Sequence, residues 1–204
     1  MAIASTNPPN LSADATKTRL TLDEYRAIEE TADERHEYCN GEIFAMSGGS
    51  EAHSTIACNL LIYLGFLLRD TDFRLYNSDL RVWIPEHQCG TYTDLMAVNG
   101  TPEFNGSRTD EILNPLLIVE VLSPSTEGYD RGEKFRKYRS IPSFCEYLLV
   151  SQTEPYIEQY YNADRQHSDR WQWQVYDGLE RAIVLHSLNV ELPIAEIYRR
   201  INFQ

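Results

Sequence analysis

Glu120 stands inside the apolar run 116–122, LLIVEVL. A strand that is apolar on both faces is an interior strand of a sheet. An ionised carboxylate there is costly unless a cation or a metal ion meets it. Such a cost is tolerated mainly at functional sites; the plainer reading is a salt-bridged glutamate near a strand end. Asp94 lies in YTDLMAV (92–98), again an acid entering an apolar strand. Alone, an aspartate at a strand start caps a turn. Paired with Glu120 on a neighbouring strand it makes a hard oxygen site suited to Mg²⁺ or Mn²⁺.

The stretch after Glu120 supplies cations. Residues 123–142 hold five basic residues (Arg131, Lys134, Arg136, Lys137, Arg139) against three acidic ones (Glu127, Asp130, Glu133). In a helix, Lys134 shares a face with Arg131 and Tyr138. The plainer reading is a solvated basic face. His53, in the first turn of a helix opened by Ser50, is a secondary candidate; it can equally bond the preceding loop. Glu42 is either a further acidic ligand or a solvated hairpin charge. His36-Glu37 is not HExxH, because Asn40 stands at the second histidine position. The glycines before Lys134 are one residue short of a phosphate loop, with no Ser or Thr following. Trp171 and Trp173 share a strand face; core or dimer packing is the expected use, base stacking the other.

These residues need elements to hold them. Thr21-Leu-Asp-Glu24 fits a capping box opening a short helix to about residue 32. Asn40-Gly41 joins two strands, 35–39 and 42–46, in a tight hairpin. Ile56, Leu60, Leu61, Leu64 and Leu68 recur at helical spacing after Ser50, to about residue 69. Strands are expected at 73–76, 80–84, 92–98, 116–122 and 145–150, and a basic helix at 130–140. The C-terminal part reads as a β-meander, with strands at 156–161 and 171–176, and a terminal helix at 195–201. The order implies an α+β or mixed α/β domain over 20–204 around one sheet, preceded by a polar, disordered tail at 1–19.

The block IVEVLSPSTEGYDRGEKFRKYRSIPSFCEYLLV (118–150) resembles the signature region of a bacterial restriction-endonuclease family with the PD-(D/E)XK nuclease fold. RHEYCNGEIFAMSGGSEAHSTIACNLLIYL (35–64) resembles that family's N-terminal hairpin and helix, and YTDLMAV its acidic strand. The likeness extends over most of the chain from about residue 20. It implies a central mixed sheet flanked by helices, with Asp94 and Glu120 as catalytic acids and metal ligands. Two positions depart from the pattern: Thr93 replaces the motif's proline, and Leu122 replaces the lysine two residues after the second acid. That lysine would share a face with Glu120. The resemblance implies instead that a helical lysine takes over; Lys134 in DRGEK matches, with Lys137 as the fallback. A long, flexible side chain can deliver its ammonium from there.

The implied activity is Mg²⁺- or Mn²⁺-dependent hydrolysis of phosphodiesters, DNA being the expected substrate and a homodimer the expected assembly. The alternative is a degenerate nuclease fold that binds or scaffolds; a weaker rival is a two-carboxylate glycosidase. Cys39, Cys58, Cys89 and Cys145 form no CxxC and read as reduced thiols of a cytoplasmic protein. No apolar run of about 18 residues marks a membrane span, and no signal peptide is apparent.

Charge bounds the partners. Lys and Arg number 18 against 31 Asp and Glu, a net of −13 over 204 residues. This excludes a protein that coats nucleic acid with its whole surface. Between residues 20 and 60, nine acidic residues face two basic ones. Nucleic-acid contact is therefore expected on the side of Arg131, Arg136, Lys137 and Arg139, weak without metal. Its affinity should fall steeply with salt in a titration; salt-insensitive binding would contradict this.

Overall fold

In a computed structural model, residues 19–46, 48–164 and 170–203 are described. The expected tail at 1–19 lies outside them apart from Arg19. Helix α1 (Leu22–Glu29) opens on the capping box of Thr21 and Glu24 and ends sooner than periodicity suggests. The hairpin β1 (His36–Cys39) and β2 (Glu42–Ala45) turns through Asn40 and Gly41, both with positive φ, as the Asn-Gly pair requires. Helix α2 (Glu51–Leu68) is capped by the Ser50 side chain.

Next come β3 (Phe73–Asn77), β4 (Arg81–Ile84), β5 (Cys89–Tyr92), β6 (Leu95–Asn99), β7 (Glu111–Ile112) and β8 (Leu117–Leu122). The expected basic helix begins as α3 (Glu127–Tyr129), passes through a π-helical turn (Asp130–Lys134) and ends as α4 (Phe135–Tyr138). β9 (Glu146–Ser151), β10 (Tyr156–Tyr161) and β11 (Gln172–Asp177) follow. A hairpin of β12 (Ala182–Leu185) and β13 (Val190–Pro193) leads into α5 (Ile194–Ile197).

The strands form two larger sheets and one small one, where one sheet was expected. One has five strands in the order β2-β1-β5-β4-β7, the other six in the order β11-β10-β9-β8-β6-β3, and β12-β13 stand apart. The single strand expected at 92–98 breaks after Tyr92. β5 belongs to the five-stranded sheet and β6 to the six-stranded one, so the chain changes sheets across Thr93-Asp94. β8 pairs antiparallel with β6 and parallel with β9. A parallel pair demands a crossover; here it is the α3–α4 segment.

β8 is buried along its whole length. Leu117, Val119 and Val121 point into a core shared with Ile56, Leu60, Leu64 and Leu68 of α2. Ile118 and Leu122 point to the opposite core, shared with Tyr138, Phe144 and Tyr147 beneath the crossover. Strand alternation puts Glu120 on this second face. By length and composition alone, α2 could cross a membrane, with a mean hydropathy of 1.3. In the fold one stripe of it, Ile56, Leu60, Leu64 and Leu68, is buried in the core with β8, while Ile62 and Phe66 on its other face are exposed.

The reduced-thiol reading of the cysteines is corrected for two of them. Cys39 and Cys89 form a disulfide between directly opposed positions of β1 and β5, 50 residues apart in sequence. Sequence spacing cannot reveal such a pair, because strand register creates it. Cys58 and Cys145 are not disulfide-bonded.

The five-stranded sheet is anchored to α1 through charge. Arg26 clamps the fully buried Glu111 with two bonds of 2.9 and 2.6 Å. The buried Arg81 pairs with Asp110, donates to the Tyr25 hydroxyl at 2.9 Å and lies 3.6 Å from Glu111. Tyr25, Tyr38 and Trp83 stack alongside, with centroids 4.9 and 6.2 Å apart. Arg81→Met removes one of three cations, with Arg26 and Arg108, from the buried Glu111 carboxylate. It should destabilise the fold by about 3–5 kcal/mol, measured by urea unfolding followed through tryptophan fluorescence.

Candidate active site

Asp94, Glu120 and Lys134 meet at the seam between the two larger sheets. β8 presents Glu120 and the sheet-to-sheet junction presents Asp94. The π-helical turn presents Lys134 from the crossover. Such turns recur at functional sites because the extra residue re-aims neighbouring side chains. Asp94 Oδ2 accepts the Val121 backbone N–H at 2.7 Å, which ties it to the residue following Glu120. His53 Nε2 lies 3.2 Å from the same oxygen. Ser50 accepts the His53 backbone N–H at 3.1 Å, and the ring lies so near Gly49 that a Cβ there would stand 2.9 Å from Nδ1. The hydrogen bond to Asp94 holds the His53 pKa above its usual value.

Lys134 is nearly buried. Its ammonium donates to Glu120 Oε1 at 3.1 Å and to the Tyr92 carbonyl at 3.2 Å. Glu37 Oε1 and Asp130 Oδ1 each stand 3.3 Å away. The Tyr138 hydroxyl donates to Glu120 Oε1 at 3.0 Å. Burial opposes the lysine's charge, yet the carboxylates of Glu120, Glu37 and Asp130 hold its pKa well above the ordinary value. Burial, reinforced by neighbouring carboxylates, pushes the Glu120 pKa well up despite Lys134, and burial likewise raises Asp130. Three carboxylates thus share one ammonium.

Sequence reasoning missed Glu37, Asp130 and Tyr138 as members of this cluster. Asp130 and Lys134 had a usable signal in their spacing of four residues. Glu37 had none: it arrives through β1–β5 pairing, where it also accepts from the Thr91 hydroxyl and from the Tyr92 N–H at 3.3 Å. Leu122 packs into the core beneath the crossover and presents no charge to the site.

The cluster forms the floor of a cleft of about 1580 Å³. Glu42 lines its wall outside the Lys134 group. Lys137 and Arg136 line one side. Lys137 lies 3.2 Å from the Tyr129 hydroxyl, with its pKa lowered by burial; Arg136 bonds Glu133 at 2.9 Å. The other two expected contact residues are not brought there. Arg131 pairs with Glu158, and Arg139 stacks over Phe135 with 5.2 Å to the ring centroid. Trp171 packs edge-on against Phe135 at 5.1 Å, while Trp173 is exposed.

Among the described residues, no group of three or more His, Cys, Asp or Glu side chains is arranged to hold a metal ion. The donor set still fits Mg²⁺ or Mn²⁺, since Mg²⁺ binds through one or two carboxylates and keeps several waters. Asp94 and Glu120 supply hard oxygens. Next to Asp94 in the chain, the Thr93 hydroxyl is buried with no hydrogen-bond partner, a polar atom left unmet among the described residues.

The fold is restriction-endonuclease-like. A crystal structure from Anabaena variabilis ATCC 29413, titled as a "putative nuclease belonging to DUF820", superposes with a TM-score of 0.69. It covers 88% of this chain and 97% of that one at 17% identity, a likeness of fold. The chain belongs to the Uma2 family, described as "Putative restriction endonuclease", whose model matches residues 22–195. Two proteins of Synechocystis sp. (strain ATCC 27184 / PCC 6803 / Kazusa) are similar. "Uncharacterized protein slr1290" is 40% identical over 94% of this chain and 98% of its own length. "Uncharacterized protein sll1609" is 39% identical over 74% and 86% respectively.

If the excess of buried carboxylate serves function, relieving it should not harm the fold. Glu120→Gln can retain the Tyr138 bond and leaves Lys134 with Glu37 and Asp130. Its melting temperature should equal or exceed that of the parent in a calorimetric scan; a clear fall would mark Glu120 as a structural ion-pair partner.

Proposed function

We propose that this protein is a divalent-metal-dependent nuclease that hydrolyses phosphodiester bonds in DNA, with Asp94 and Glu120 holding Mg²⁺ or Mn²⁺. The observation that carries this reading is the convergence of Asp94, Glu120 and Lys134 on one cleft floor. When bound, the metal ion supplies Lewis acidity and lowers the pKa of a bound water.

The chain's own residues do the rest. His53 and the Val121 amide fix the Asp94 carboxylate, and Tyr138 fixes Glu120. Lys134 keeps its proton and sets a positive charge where negative charge grows on the attacked phosphate. Glu120 and Lys134 are buried at the floor, which strengthens their interactions. Cutting both strands of a duplex calls for two sites in a homodimer; cutting one strand does not.

A degenerate, binding-only member is the second reading, and Leu122 at the usual lysine position is what favours it. Asp94→Ala and Glu120→Ala should each lose metal-dependent cleavage of plasmid and oligonucleotide DNA. Lys134→Ala should lose roughly 10²–10³-fold, assayed below the lower melting temperature that leaving Glu37, Glu120 and Asp130 without their cation entails. Calorimetry with Mn²⁺ should give binding that the Asp94→Ala/Glu120→Ala double variant loses. Absent carboxylate-dependent binding, together with absent cleavage, would select the second reading.

A further inference from the structure

Glu120 is 4% exposed, and the side chains of Lys134 and Asp94 are 9% and 18% exposed. A scissile phosphate must therefore descend to the floor of the cleft. Phosphates of a duplex lie along a stiff rod whose persistence length is about 150 base pairs, and bending it costs energy. A lone strand has no such stiffness. At about 1580 Å³ the cleft exceeds the roughly 300–1,000 Å³ of a small-molecule pocket.

The walls carry the two features that a single strand uses. Phe44, on the edge strand β2, is 46% exposed, and it lines the cleft. Tyr129 lines the cleft as well, 36% exposed, with the Lys137 ammonium 5.2 Å from its ring centroid. Exposed aromatics in a nucleic-acid cleft are stacking platforms for unpaired bases. Arg19, Arg35, Arg136 and Lys137 line the opening among the acids Glu34, Glu42 and Glu133, with Arg35 paired to Asp79 and Arg136 to Glu133. A duplex tracks a broad basic face, which a chain of net charge −13 lacks along its acidic segment 20–60.

From these features we infer that the cleft takes a single nucleic-acid strand, with unpaired bases stacked on Phe44 and Tyr129 and one backbone phosphate lowered to Glu120 and Lys134. The inference rests on the nuclease reading and narrows its substrate to unpaired strands.

The test is fluorescence anisotropy with a labelled 12-nucleotide strand and its duplex, at low salt with Ca²⁺ as the hard divalent ion. The single strand should bind at least tenfold tighter than the duplex. Phe44→Ala should weaken single-strand binding by roughly tenfold, the worth of one stacked base. Phe66→Ser, on the exposed face of α2 away from the cleft, should leave it unchanged. Equal or tighter duplex binding, indifference to Phe44→Ala, or no binding to either form overturns the inference. Cleavage in Mg²⁺ or Mn²⁺, read separately, keeps the two conclusions apart. Strand binding without any cutting removes the nuclease reading alone. Duplex cutting without strand preference removes this inference alone.

Discussion

One ammonium surrounded by three carboxylates joins the two halves of this fold. Lys134 comes from the crossover helix, Glu120 from the central strand of the six-stranded sheet, and Glu37 from the hairpin of the five-stranded sheet. Asp130 lies one helical turn before the lysine. A buried charge without partners is untenable, so each element must reach its place for the others to be tolerated. Apolar layers on both faces of β8 supply the free energy that offsets this arrangement, and they leave only Glu120 as a polar gap in that strand.

Much of this was legible in the sequence because local rules govern it. The capping box at Thr21, the Asn40-Gly41 turn and the Ser50 cap each depend on neighbours within a few residues. The buried strand announced itself as LLIVEVL, and Glu120 as its anomaly. Asp94 became a candidate as an acid entering an apolar strand, and Lys134 through resemblance in a long motif block. What the sequence did not disclose depends on register and on sheet assignment. The strand expected at 92–98 is split between two sheets, because periodicity shows a residue's facing side but not which neighbour it pairs with. The Cys39–Cys89 bond and the arrival of Glu37 have the same origin. Short strands such as β7, with two residues, offer no period to detect.

The acidic composition acquires a physical role in this setting. Negative charge over 20–60 discourages indiscriminate binding to nucleic acid, and the cations that line the cleft opening, Arg19, Arg35, Arg136 and Lys137, stand among acids, Arg35 paired with Asp79 and Arg136 with Glu133. Arg131 and Arg139 are engaged with Glu158 and Phe135 instead, so a basic run in sequence became two faces in space. Family membership fixes the scaffold on which this charge pattern is laid. The pattern itself belongs to the residues of this chain.

The change of sheet at Thr93-Asp94 bears on how the protein comes into being. Residues of the cluster span positions 37 to 138, and they come together only when both sheets have formed and docked. A chain still being synthesised, with its first hairpin and α2 in place, holds Glu37 and His53 but no Glu120 and no Lys134. Whatever chemistry the cluster performs is thus withheld from nascent and half-folded molecules. Completion of the fold is the event that arms it.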